Sequence, residues 1–218
     1  MLLAIMLQFL HPIAALPVHG AVQLASNTTR VWLFWKDLSW PIIGRFIALM
    51  PIGVWMGLKL FQGLPAEGIQ ILIGLFVLLS LLTSHIRRWR PKDLPLWAFV
   101  PLGLVTGALN MVVGVISPIL GALIIRKDLS KEGVVGTLGF FGFAGNLLKI
   151  TGFSFIGFSF VEFGPLILAM VPAAIIGTHL GKRILQNVNE ASFRIAFQLV
   201  LIALALKLIF VDGFALFG

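Results

Sequence analysis

Cysteine and tyrosine are missing from all 218 residues, and only eight side chains, Asp and Glu together, carry a negative charge. Without Cys there is no disulfide, no thiolate metal site and no cysteine-ligated iron–sulfur cluster. Without Tyr there is no phenolic acid or base. The eight acids, Asp37, Glu67, Asp93, Asp128, Glu132, Glu162, Glu190 and Asp212, all fall in connections or at the ends of apolar runs. Charged residues of both signs make up 11% of the chain, against about 25% in an ordinary soluble domain. Hydrophobic residues make up 59%, against about 45 to 50%. These proportions exclude a soluble globular domain.

What is present is a series of apolar runs, most of them long enough to cross a hydrocarbon layer about 30 Å thick. Bounded by charge or Pro, they read as a short segment at 1–16, then 20–35, 40–60, 66–84, 95–125, 132–150, 163–181 and 191–211. The stretch 95–125 is too long for one straight span and carries Gly114, Ser117 and Pro118, so it reads as interrupted or re-entrant. The opening segment, broken at Pro12 and Pro17, reads as the tail of a similar element. It lacks the basic start of a signal peptide and is expected to be retained in the membrane rather than cleaved.

The net charge of +8 does not imply nucleic acid, because most of the cations sit in short loops between apolar runs. That is the positive-inside pattern. With 95–125 turning back on itself, thirteen of the 16 Lys and Arg residues fall on the cytoplasmic side and only Lys59, Lys149 and Lys207 on the other. Trp32, Trp35, Trp40, Trp89 and Trp97 flank the basic loops as an interfacial belt.

The chain also repeats. Asn27 and Arg30 fall over Asn146 and Lys149 at an offset of 119, and Gly53, Gly57 and Lys59 fall over Gly177, Gly181 and Arg183 at an offset of 124. The three spans of 20–84 then run opposite to the three of 132–211, which defines two inverted-topology repeats. The first covers 1–84, a basic cytoplasmic linker covers 85–94, and the second covers 95–218. Inverted repeats are the common mark of secondary transporters, with a site where interrupted elements meet. Met1 aligns near Leu120, so the first repeat is expected to lack one N-terminal span, roughly 25 residues.

Two stretches carry a family likeness. Pro17 to Arg30 (PVHGAVQLASNTTR) and Gly114 to Gly152 (GVISPILGALIIRKDLSKEGVVGTLGFFGFAGNLLKITG) resemble the sulfite exporter TauE/SafE family of membrane permeases. The family's second repeat usually opens Gly-x-x-Gly-Pro with a further Pro. Here Ser117 stands for a Gly and Ala122 for the later Pro. The resemblance implies a permease for sulfite, sulfonates or related small anions in the inner membrane of a bacterium.

An anion inside a membrane needs donors and positive potential. The turn from Gly114 to Pro118 can expose backbone N–H groups at a helix start, and Ser117 can add a hydroxyl. The alternative is a structural kink at Pro118. Asn27 and Asn146 lie in apolar spans, each followed three residues later by a cation on the same face, Arg30 and Lys149. Either these four surround an oxyanion, or the amides pair helices and the cations snorkel to headgroups. Gln23 and Arg45 complete the candidate substrate-binding set.

Gly53 with Gly57, Gly103 with Gly107 and Gly177 with Gly181 read as packing faces. His11 and His19 read as part of an outer connection, His85 and His179 as near the inner face, and no pair has metal-ligand spacing. The expected protein is an all-α polytopic permease with no cofactor or metal, its partners a small anion and the bilayer. Coupling protons would have to ride on the substrate or a histidine, and a homo-oligomer is compatible with the pattern. The competing readings are a non-transporting membrane scaffold and, behind it, a membrane enzyme, for which no acid–base pair or nucleophile stands at workable spacing.

Overall fold

The computed structural model describes residues 2–86, 93–114, 117–124, 128–187, 198–200 and 202–212, without side chains at 80–86, 117–119, 122, 131, 175, 177–187 and 212. All regular structure among them is helical: α1 (Leu2–Met6), α2 (Pro12–Leu33), α3 (Trp40–Ala48), α4 (Met50–Gly63), α5 (Ala66–Ile86), α6 (Phe99–Val112), α7 (Ser117–Ile124), α8 (Lys131–Phe155) and α9 (Gly164–Asn187). Short 3-10 turns occur at Trp35–Asp37 and Leu96–Ala98, and a π-helical turn at Lys207–Asp212 packs on α5.

The helix ends follow local chemistry. Pro12 opens α2 at a position whose N–H would have no partner. Pro17 does not break that helix, contrary to expectation, although it forfeits the bond to the Ile13 carbonyl. Ser130 caps α8, its hydroxyl accepting from the Gly133 N–H at 2.9 Å. The far end of α8 runs past the expected stop at 150. There Gly157 takes φ +91°, and Phe158 N–H and Gly157 N–H donate to the carbonyls of Phe153 and Ser154. Phe158 also packs on Phe153, completing a glycine-terminated Schellman cap. The expected span 40–60 is bent by 41° between α3 and α4, at Leu49, with Pro51 just beyond.

The two most extensive helix contacts are α4 on α6 and α2 on α8. Gly53 and Gly57 sit directly on the carbonyls of Leu104 and Ala108, and Gly103 and Gly107 on those of Phe46 and Met50. Two of the three predicted glycine faces thus let two backbones touch, and the surroundings of the third, Gly177 with Gly181, lie outside the described residues. Phe46, stacked on Phe141 at 3.7 Å, Met50, Phe99, Met111 and Phe153 form the core around this crossing.

α8 runs parallel to α4, with Gly145 beside Met50 and Gly152 beside Val54 and Leu58. It also runs parallel to α6, with Gly145 beside Asn110 and Lys149 beside Gly114. The start of α6 lies by α3, and the start of α8 by residues 37–39, through Ser39 N–H donating to the Thr137 hydroxyl at 3.1 Å. Parallel helices that begin at one end require the chain to return between Gly114 and Lys131. α7 lies in that returning stretch.

Among the described residues one helix, over Glu132–Phe155, is long and apolar enough to cross a membrane alone, and the bent pair Trp40–Gly63 would be a second. Shorter apolar helices cover Ala66–Leu79, Leu96–Val112 and Gly164–Ala174. Trp32, Trp35, Trp40 and Trp97 are all exposed, while Trp89 lies outside the described residues.

Candidate functional site

Polar side chains recur along α2 at His19, Gln23, Asn27 and Arg30, a spacing that puts them on one helical face. That face meets α8 in an antiparallel crossing. A side-chain carbon at Gly20 would fall 2.9 Å from Lys149 Cδ, one at Gly142 would fall 2.5 Å from Asn27 Nδ2, and one at Gly139 would fall 2.9 Å from Arg30 Cβ. The residue numbers in these three pairs have the same total, so they define one register.

At an offset of 119, Gly20 becomes Gly139 and Arg30 becomes Lys149. The pair Arg30 over Gly139 therefore maps onto Lys149 over Gly20. The same operation carries Asn27 over Gly142 to Asn146 at the level of Gln23. Glycines on each helix make room for the long polar side chains of the other.

Between the two helices lies a cavity of about 280 Å³. α2 lines it with His19, Gln23, Asn27 and Arg30, and α8 with Leu138, Phe141, Gly142, Gly145 and Asn146. Met50 of α4, Thr106 and Asn110 of α6, Gly114 just past its end, and Leu120 of α7 complete the wall. No carboxylate lines it among the described residues. Arg30 is exposed at the end where α2 finishes and α8 begins, while Asn27, Asn146, Thr106 and Asn110 are buried. Asn110 donates one amide hydrogen to the Gly145 carbonyl at 3.1 Å.

Beyond the opposite end, Lys149 is wholly buried and donates to the Gly114 carbonyl at 3.4 Å. Gly114 holds φ +80° where α6 stops, against Leu3 and Leu16. A side chain there would strain the backbone and meet both leucines. Amides, a hydroxyl, an imidazole and a guanidinium facing one cavity without an acid can hold an anion by donation.

The family model described as Sulfite exporter TauE/SafE matches residues 1–208 of the 218. The chain belongs to the sulfite exporter TauE/SafE family. No curated protein and no solved structure matches it significantly. Membership makes the chain part of a membrane-integral transport family, and its helical architecture agrees.

In this TauE/SafE member the cavity gathers Asn27, Asn146, Gln23, Arg30 and Gly114, five of the eight residues singled out from sequence. Lys149 adjoins the cavity through Gly114 without lining it. Arg45 is elsewhere: its guanidinium is exposed and donates to the Pro41 carbonyl of its own helix at 2.7 Å. The Ser117 backbone starts α7, but its side chain lies outside the described residues.

Sequence reasoning missed His19, Thr106 and Asn110. The two prolines around it make His19 read as part of a connection, whereas α2 starts at Pro12 and buries it. Its distance of eight residues from Asn27 was the available signal. Thr106 and Asn110 share a face four residues apart in an otherwise apolar run. Lys207 is exposed and its ammonium donates to the Gln8 side-chain carbonyl.

Proposed function

We propose that this TauE/SafE member is a multi-pass permease of the inner, plasma membrane. It moves a small sulfur oxyanion, sulfite or a sulfonate, by alternating access between inverted repeats. The observation that carries this reading is the meeting of the repeat-equivalent amides Asn27 and Asn146 in one acid-free cavity lined by donors. Buried amides in a lipid-embedded bundle need partners, and an oxyanion between them supplies oxygens to both. Arg30 provides the positive charge at the open end. The register shared by Arg30 over Gly139 and Lys149 over Gly20 supports the inverted-repeat reading, in which each half contributes one amide and one cation.

Sulfite flux into proteoliposomes tests this. Asn27→Ala and Asn146→Ala should each lower flux about tenfold, the worth of one hydrogen bond to a charged group. Thr28→Ala, at an exposed hydroxyl bonded to the Leu24 carbonyl, should leave it near wild type. Unchanged flux in the Asn27→Ala, Asn146→Ala double variant would remove the site. Absence of any anion flux in the wild-type protein would remove the permease reading.

A further inference from the structure

Arg30 and Lys149 hold equivalent places in the two halves but opposite situations. Arg30 is exposed and lines the mouth of the cavity. Lys149 is 0% exposed, and its ammonium donates to the Gly114 carbonyl at 3.4 Å, near the long limit of a hydrogen bond. No carboxylate pairs with it among the described residues. A buried ammonium held by one long bond to a carbonyl is costly, and packing gives no reason to keep a charge there. Each cation stem lies over a repeat-equivalent glycine. Measured along α2, the levels of Lys149 and Arg30 are ten residues, or about 15 Å, apart. One small oxyanion therefore cannot bridge both cations.

We propose that Lys149 is the anion-receiving cation of a second entrance, closed in this conformation, and that Arg30 and Lys149 exchange roles as the repeats exchange conformations. The inference rests on the permease reading. In the conformation observed, the anion enters past Arg30 and stops at the buried amides. When α2 and α8 rock against each other, the Lys149 ammonium leaves the Gly114 carbonyl, faces the other side of the membrane and takes over the anion. Arg30 is then withdrawn. The Gly114 carbonyl parks the ammonium while no anion is near it.

Flux measured with substrate presented to one face at a time separates the two cations. Arg30→Ala should raise the sulfite KM about tenfold or more only from the face bearing Lys36. Lys149→Ala should do so only from the face bearing Gly63 and Gly157, and Lys149→Arg should restore most of it. Equal KM changes from both faces for both variants would show one shared site and overturn the proposal. No change from either face for Lys149→Ala would do the same.

A second measurement is independent of transport. The chain has no cysteine, so Lys149→Cys presents a single thiol to a membrane-impermeant reagent. Modification from the Gly63 face alone supports the second entrance. A thiol inert from both faces, or reactive from the Arg30 side, overturns it. A wild-type protein that moves no anion, with a Lys149→Cys variant that labels from the Gly63 face alone, would sink the permease reading and leave the gated entrance standing.

Discussion

His19 Nδ1 is buried without a hydrogen-bond partner among the described residues, on a side chain that lines the cavity. Leaving such a nitrogen unpaired costs about 1 to 3 kcal/mol, a cost that bound substrate can relieve. Replacing it with an apolar side chain should thus help the empty protein and harm transport. For His19→Leu the expected outcome is a gain of about 1 kcal/mol in stability, read as a higher thermal midpoint in detergent, with sulfite flux reduced. A lower midpoint with unchanged flux would make His19 a packing residue instead. The contrast with Asn27 and Asn146 shows which parts of the site were legible. The asparagines stand out because an amide inside an apolar run has few uses. His19 escaped because Pro12 and Pro17 suggest a loop, and only tertiary packing reveals that the helix runs through Pro17.

At the scale of elements, the crossing of α4 and α6 depends on the absence of side chains. A Cβ on Gly53 would overlap the Leu104 carbonyl, which is backbone and cannot swing aside. Gly53→Ala should cost at least about 1 to 3 kcal/mol, the range for overpacking, and lower the thermal midpoint sharply. Gly44, also helical, has nothing within 4 Å of the same position. Gly44→Ala should therefore be neutral or stabilising by about 0.5 to 1 kcal/mol through backbone entropy. Equal effects of the two substitutions would separate the glycines from the crossing. Small residues four apart announced this contact in the sequence, but not which helices would share it, since the spacing carries no partner information. The bend at Leu49 was likewise hidden, because the apolar run continues through it and only Pro51 marks the place.

For the whole molecule, the return of the chain between Gly114 and Lys131 decides which connections share a face. α4 and α8 run parallel, so Gly63 and Gly157 lie at one end and Lys36 at the other. Of the three cations counted on the outer side, Lys149 is buried in the bundle, leaving Lys59 and Lys207 exposed there. In the proposed permease, an end almost free of Lys and Arg opposite a basic one would place Lys36 in the cytoplasm by the positive-inside rule. In a chain free of native thiols, Gly63→Cys and Gly157→Cys should both react with an impermeant maleimide added to intact cells, whereas Lys36→Cys should react only after lysis. A side chain at either position meets nothing within 4 Å, though at Gly157 it must also take the strained φ of +91°. Labelling of Gly63→Cys and Gly157→Cys from different faces would contradict the parallel packing of α4 and α8. The returning stretch that brings Gly114 against Lys149 would then have to be given up.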